Sequence, residues 1–101
     1  MKEISLCPRL SKALDLIGKR WTALIIYQLL EGPQRFNAIE AALPISGRLL
    51  SERLKELEKE GIVGRKVYSE IPIRVEYSLT EKGRSLEATV REIENWSKNW
   101  L

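Results

Sequence analysis

Residues 44–79 carry the most constraining pattern in this chain of 101 residues. Ser46 is a favoured residue type for the position before a helix, and Gly61 is the glycine expected just past a helix end. One apolar helix face, with residues three and four apart, is formed by Leu50, Leu54 and Leu57. In residues 62–68 one face holds Val63, Arg65 and Val67, and in residues 74–79 one face holds Val75, Tyr77 and Leu79; this predicts two strands around a short loop.

A helix that is followed at once by a small hairpin is the arrangement of a winged helix-turn-helix. The rest of the chain predicts two helices near the start, a brief extended segment at Arg35-Phe36, a third helix capped by Asn37, and a last helix capped by Thr80. The expected order is α-α-(β)-α-α-β-β-α. The predicted fold class is therefore mainly α with a small β-hairpin (α+β), in one domain over residues 1–101.

The composition excludes several classes of function. The chain has no histidine and one cysteine, so histidine-based catalysis and the usual structural zinc sites are not expected. Glycine motifs that bind nucleotides are missing from the sequence. We therefore predict that the protein is not an enzyme and needs neither a metal nor a cofactor.

The sequence also favours a location inside the cell. No apolar run approaches 18 residues, and the first residues lack the apolar stretch of a signal peptide. A single cysteine cannot form an internal disulfide, which fits a reducing compartment. We expect a cytoplasmic protein with no membrane partner.

The outward face of the helix after Pro44 is the main candidate for nucleic-acid recognition. Its candidate residues are Ser46, Gly47, Arg48, Ser51, Glu52 and Lys55. Arg48 is placed to bond O6 and N7 of a guanine, a contact worth about 1–3 kcal/mol of base discrimination. The alternative is a solvated helix face of mixed charge.

A second set of polar residues is expected to contact the DNA backbone from the hairpin and from the helix starts. This set comprises Arg35, Asn37, Arg53, Lys66, Tyr68 and Arg74. Arg74 lies nearest the hairpin tip, where arginine can pair with phosphate or enter a minor groove. The alternatives are solubilising charge on an edge strand for the hairpin, and helix capping alone for Asn37.

Cys7 lies at the start of the first helix, just before Pro8. The helix dipole and the nearby charges of Lys2, Arg9 and Lys12 favour the thiolate, which is the reactive form of cysteine. The sequence is thus compatible with a redox-sensing thiol and also with a half-buried structural cysteine.

Apolar residues on the first and last helices predict a surface for a second copy of the chain. This proposed dimer surface consists of Leu10, Leu14, Ile93, Trp96 and Trp100. So small a domain cannot easily bury both tryptophans, although packing between the two helices within one chain is the alternative. A symmetric dimer would present two recognition helices to a palindromic site.

Nearly the whole chain resembles the HxlR-type winged helix-turn-helix transcriptional regulators of bacteria, which are relatives of the MarR group. The motifs that carry the resemblance are Cys7-Pro8, Ile17-Gly18-Lys19-Arg20-Trp21, Leu30-Glu31-Gly32-Pro33, Arg35-Phe36, Ile45-Ser46, Arg53-Leu54, Leu57-Glu58, Gly61-Ile62-Val63 and Val75-Glu76-Tyr77-Ser78-Leu79-Thr80. One departure is that most members have two glycines where this chain has Gly18-Lys19.

The resemblance implies a homodimer that binds an inverted-repeat operator. It implies that residues 46–60 form the recognition helix and that residues 67–74 include the wing tip. Some members sense oxidants or electrophiles through a cysteine near the N-terminus, and Cys7 falls at that position.

These observations predict a DNA-binding transcriptional regulator that acts as a homodimer and responds to thiol chemistry through Cys7. Two alternatives remain at this point. One is an RNA-binding module, because Gly61-Ile62-Val63-Gly64 has the glycine spacing of a KH loop, although it lacks basic residues between the glycines. The other is a winged helix that serves only protein contacts.

Overall fold

The computed structural model describes residues 7–101, and Lys2 of the predicted cysteine environment lies outside this range. Within it the chain forms six helices and three strands, in the predicted order except that two helices replace the predicted last one. Their bounds are α1 Pro8–Ile17, α2 Thr22–Leu29, β1 Gln34–Arg35, α3 Phe36–Ala42, α4 Gly47–Lys59, β2 Val63–Tyr68, β3 Arg74–Leu79, α5 Glu81–Arg84 and α6 Glu87–Trp100.

The predicted punctuation of α4 is confirmed at both ends. The Ser46 hydroxyl accepts a hydrogen bond from the Leu49 amide at 3.1 Å, so Ser46 caps the helix start. At the other end, Gly61 takes a φ of +74°, and the Ile62 amide donates to the Leu57 carbonyl at 2.9 Å. This is the Schellman ending, which needs a residue that tolerates positive φ.

The hydrophobic core lies between α2, α3, α4 and the base of the hairpin. The predicted apolar face of α4 is fully buried there. The core side chains of the four elements are Ile25, Ile26, Leu29, Ile39, Leu50, Leu54, Leu57, Ile62 and Val63. Burial of a side chain of this size contributes about 1.5–3 kcal/mol, so this cluster fixes the orientation of α4 relative to the hairpin.

The three strands form one antiparallel sheet in the order β1-β3-β2. Val63 lies opposite Leu79, Val67 opposite Val75, and Tyr68 opposite Arg74. The hairpin is therefore paired along its whole length up to a five-residue tip, residues 69–73. On its other edge, β3 pairs with the short β1.

The predicted cap of α3 at Asn37 is wrong. Gln34 and Arg35 pair with β3, which holds the backbone extended up to Arg35, and the helix begins directly at Phe36. Arg35 occupies the cap position without a side-chain cap bond, and Asn37 is the second helical residue.

The predicted single C-terminal helix is also wrong, because it is divided into α5 and α6. Thr80 caps the four-residue α5 by accepting a hydrogen bond from the Gly83 amide at 3.1 Å. Gly83 packs so closely on Ile62 that an added Cβ would lie 2.2 Å from the Ile62 carbonyl oxygen. Glycine is unfavourable in a helix interior. The Ser85 hydroxyl donates to the Lys82 carbonyl at the end of α5, and both features favour an end of the helix there.

Candidate nucleic-acid interface

Helix α3, the turn at residues 43–46 and helix α4 form a helix-turn-helix. The turn brings the start of α4 against α3, where a Cβ added at Gly47 would lie 2.5 Å from Oε2 of Glu40. The contacting atom is the end of a flexible side chain, so the close approach favours glycine without strictly requiring it. The result is that the first turn of α4 stands at the edge of the domain.

The face of α4 opposite the core presents charged groups to solvent. The Arg48 side chain is 91% exposed, and its Nε lies 3.7 Å from Oε1 of Glu52, one helical turn further on. Lys55 is exposed and Ser51 is partly buried. Ion pairs at such exposure contribute little to stability, so Arg48 can exchange Glu52 for another partner at small cost.

Arg53 lies on a different side of α4 from these residues. Its side chain is only 21% exposed, and its Nη1 donates to Oε1 of Glu56 at 3.1 Å. The other oxygen of Glu56 accepts from Nζ of Lys19 at 3.0 Å. Arg53 thus belongs to a three-residue ion cluster that links the turn after α1 to α4.

The carboxyl group of Glu56 titrates abnormally because of this cluster. The hydrogen bond from Lys19 lowers the pKa of Glu56, burial opposes this, and the charge of Arg53 lowers the pKa further. Sequence reasoning missed the link between Lys19 and Glu56. The sequence signal for this link was Lys19, which stands where most members of the family that the chain resembles have a second glycine.

The hairpin holds its cations against an aromatic ring. The Arg74 guanidinium carbon lies 4.0 Å from the centroid of the Tyr68 ring, and Nζ of Lys66 lies 5.0 Å from the same centroid. Arg74 also pairs with Glu70 at 3.2 Å and with Glu76 at 3.7 Å, and its side chain is 28% exposed. The arginine nearest the tip is therefore held back along the hairpin, while Lys66 remains exposed.

The tip itself is apolar, which the sequence reasoning did not single out. Ile71 is fully exposed and Ile73 is 70% exposed, with Pro72 exposed between them. The sequence signal was an Ile-Pro-Ile run in a loop where polar residues are usual.

Arg35 and Asn37 are both exposed beside the sheet. Arg35 lies opposite Glu76 in the pairing of β1 with β3. Arg35 is therefore in the same sheet as the hairpin residues that are also predicted to contact the DNA backbone. The structure thus brings Arg35 and the hairpin together, with Asn37 in the first turn of α3.

Cys7 lies on a separate element from this surface. It is exposed and precedes α1, and its Sγ accepts a hydrogen bond from the Leu10 amide at 3.5 Å. Because the chain has one cysteine, any disulfide must join it to a second molecule.

The proposed dimer surface is exposed on α1 and α6, as the sequence predicts. Each of its five side chains leaves more than half of its area open to solvent. Neither α1 nor α6 has a buried residue. None of the helices within residues 7–101 has the length and apolarity that crossing a lipid bilayer requires.

Comparison with known proteins gives consistent matches over the length of this chain. A model of the HxlR-like helix-turn-helix family matches residues 16–101. The uncharacterized HTH-type transcriptional regulator YvaP of Bacillus subtilis (strain 168) is 57% identical over 102 residues, which cover 100% of this chain and 94% of YvaP.

Solved structures of similar regulators share the fold. The reduced form of the transcriptional regulator YodB from B. subtilis superposes with a TM-score of 0.84 at 46% identity, covering 95% of each chain. The redox regulator HypR in its oxidized form gives a TM-score of 0.87 at 42% identity, covering 92% of this chain and 96% of HypR. The chain therefore belongs to the HxlR-like helix-turn-helix family and is a transcriptional regulator of the helix-turn-helix type, not an enzyme.

Proposed function

We propose that this regulator is a cytoplasmic homodimer that binds an inverted-repeat DNA operator, with α4 of each protomer in the major groove of one half-site. The observation that carries the proposal is the exposure of Arg48 in the first turn of α4, where its side chain is 91% exposed beside a well-capped helix start. Recognition helices of this class contact base edges with the residues of their first turns.

Within α4, the proposed roles follow the exposure of each side chain. Arg48 bonds the edge of a guanine, and Glu52, one turn further on, accepts from a cytosine amino group or keeps Arg48 in place. Lys55 and Ser51 contact the base edges or phosphates that flank this position. Ser46 and Gly47 bring the amide end of the helix close to the DNA backbone.

The backbone contacts are proposed for residues outside α4's recognition face. Arg35, Asn37, Lys66 and Tyr68 are available for phosphates without breaking an ion pair within residues 7–101. Arg53 and Arg74 already form ion pairs with Glu56 and Glu70, so a phosphate would have to compete with these carboxylates. We therefore expect Arg53 and Arg74 to contribute less per residue than Lys66.

The homodimer is supported by the apolar character of α1 and α6. Trp96 and Trp100 are one turn apart on α6 and are 56% and 75% exposed. Aromatic side chains are enriched in the buried centres of protein interfaces. A second copy placed on this surface by a two-fold axis would turn two α4 helices toward successive major grooves.

Selection of bound sequences from a random duplex pool tests this function. We expect enrichment of a palindrome with half-site centres one helical turn apart, about 34–36 Å, or a multiple of it. Parallel pools of single-stranded RNA serve as the control. Enrichment of RNA alone would establish an RNA-binding module, and enrichment of neither would point to a winged helix that binds only proteins.

We further propose that Cys7 makes DNA binding responsive to thiol chemistry. The exposed Sγ at a helix start supports this, as do the printed descriptions of two relatives: HypR is a redox regulator, and YodB has been solved in diamide-treated and quinone-bound forms. Diamide would oxidise two thiols to a disulfide and take up their two hydrogens, whereas a thiolate would add to a carbon of a quinone ring, and the adduct would take up a proton to become a hydroquinone thioether.

Operator binding by the wild type and by Cys7→Ser, before and after each reagent, tests this role. We expect both reagents to change the affinity of the wild type and to leave the variant unaffected. An equal response of the two proteins would show that Cys7 is not the sensor.

A further inference from the structure

The tip of the hairpin is apolar and stands free of the core. Of the five residues 69–73, only Glu70 is charged, and its carboxylate pairs with Arg74 at 3.2 Å. Ile71 and Ile73 expose most of their side chains to solvent. A contiguous exposed pair of large aliphatic groups is the kind of apolar surface that marks an interaction site.

Arg74, which the sequence predicts to contact DNA from the end of the hairpin, does not project at the tip. Arg74 stacks on Tyr68 at 4.0 Å and forms ion pairs with Glu70 at 3.2 Å and Glu76 at 3.7 Å, which hold its guanidinium beside the strands. The tip therefore presents aliphatic groups beyond the last cation of the hairpin.

We propose that the tip enters the DNA minor groove beside each half-site and inserts Ile71, supported by Ile73, as an apolar wedge at a base step. This inference rests on the proposed function and specifies how the wing acts within it. Aliphatic side chains used in this way unstack a step and bend the duplex by about 20–90°. Specificity would then come from the deformability of the step, with no base-edge hydrogen bond from the tip.

Two features favour DNA over a protein as the partner of the tip. The exposed cations Arg65 and Lys66 lie on the strand that leads to the tip, where phosphates border a minor groove. The same strand follows α4 directly, and Ile62 and Val63 anchor it in the core next to α4. The wing and the recognition helix are thus parts of one packed unit that approaches the DNA together.

The base of the hairpin tip is held in place by strand pairing and by a stacked side-chain pair. Tyr68 and Arg74 are the last paired residues of β2 and β3, and the ring and guanidinium stack directly at the base of the tip. We assign Arg74 a positioning role here, because it fixes the base of the loop that carries Ile71.

The test uses the intact protein and the operator selected above, in versions with a TA or an AA step at the tip position. Pyrimidine–purine steps are easily kinked and A-tracts are stiff, so the wild type should prefer TA by about 10-fold and bend it. Affinity is measured by fluorescence anisotropy, and bending by energy transfer between dyes at the two duplex ends.

Two variants separate the wedge from charge effects. Ile71→Ser/Ile73→Ser should lose both the step preference and the bend while its salt dependence stays unchanged, since no charge is removed. The control Lys66→Gln should keep the step preference and lower the slope of log K against log salt by about 0.9 per lost phosphate contact. Thermal unfolding checks that both variants remain folded, as all three side chains are exposed.

The outcomes distinguish this inference from the function on which it rests. If the double isoleucine variant binds and bends the TA operator like the wild type, the wedge is wrong and the regulator stands. If the wild type selects no duplex sequence at all, the wedge and the proposed function are both wrong.

Discussion

Thr22 is a polar side chain within an apolar part of the core, next to Ile25 and Ile26. It is 1% exposed, and its Oγ1 has no hydrogen-bond partner among residues 7–101. A buried hydroxyl without a partner costs about 1–3 kcal/mol. Its retention at the first position of α2 therefore lowers the stability of the domain.

Replacing Thr22 with valine should stabilise the protein, because valine keeps the shape of the side chain and removes the hydroxyl. We expect the free energy of unfolding to rise by about 1 kcal/mol and Tm by about 4–8 °C. Thr22→Ala is the matched control and should gain less, since it also leaves a cavity. Urea unfolding measures both, and a less stable valine variant would show that the hydroxyl has a partner.

Arg48 is the residue on which base recognition depends most in this account. Arg48→Ala should cost about 1–3 kcal/mol of discrimination and relax the preference at one position of each half-site. The comparison of affinities for a panel of operators with single substitutions measures this. A loss of equal size on every sequence would instead identify Arg48 as a phosphate contact.

Among the elements, α4 is held in place by apolar packing and by an ion cluster. Its inner face is buried in the core, and the cluster of Lys19, Arg53 and Glu56 links its middle to the turn after α1. The second link makes the stability of the domain depend on the protonation of Glu56. Glu56 has a lowered pKa, so its contribution is complete above the ordinary pKa of a glutamate and is lost as the pH falls through the lowered value.

Glu56→Gln should therefore lower the free energy of unfolding by about 0.5 kcal/mol at pH 7, a small effect because solvent screens this pair. The difference from the wild type should shrink as the pH falls and the carboxyl group becomes protonated. Glu58→Gln, with no ion pair among the described residues, is the control. A difference that does not change between pH 7 and pH 3 would contradict the role of the Glu56 charge.

The parts of the fold that the sequence predicted are those governed by local signals. The cap at Ser46, the apolar spacing of Leu50 and Leu54, and the glycine at position 61 each act within a few residues. The wrong predictions, a cap at Asn37 and a single last helix after Thr80, have another cause. Strand pairing of Arg35 displaced the first cap, and the packing of Gly83 on Ile62 accompanies the division of the last helix.

The candidate site was predicted less completely than the fold for the same reason. Its exposed residues, such as Arg48 and Lys55, follow from the period of α4. The pair between Lys19 and Glu56 joins residues 37 positions apart, and Arg74 turns back because Glu70 and Glu76 flank it in the folded hairpin. Neither arrangement can be inferred from periodicity.

At the scale of the whole molecule, the proposed function depends on the pairing of two chains. Trp96→Ala together with Trp100→Ala should shift the protein toward monomer, because it removes the two largest side chains of the proposed dimer surface. Sedimentation velocity measures the change, and Glu58→Gln, an exposed residue of α4 outside this surface, is the control. An unchanged sedimentation coefficient for the tryptophan variant would reject the interface.

The most direct test of the account is the salt dependence of operator binding. Three phosphate contacts per protomer, from residues such as Arg35 and Lys66, make six in the dimer. The affinity should then fall by about 1,000-fold between 50 and 200 mM salt, with a slope of about −5 in a plot of log K against log salt. An affinity that stays constant over this range would contradict the claim that α4 and the wing bind duplex DNA.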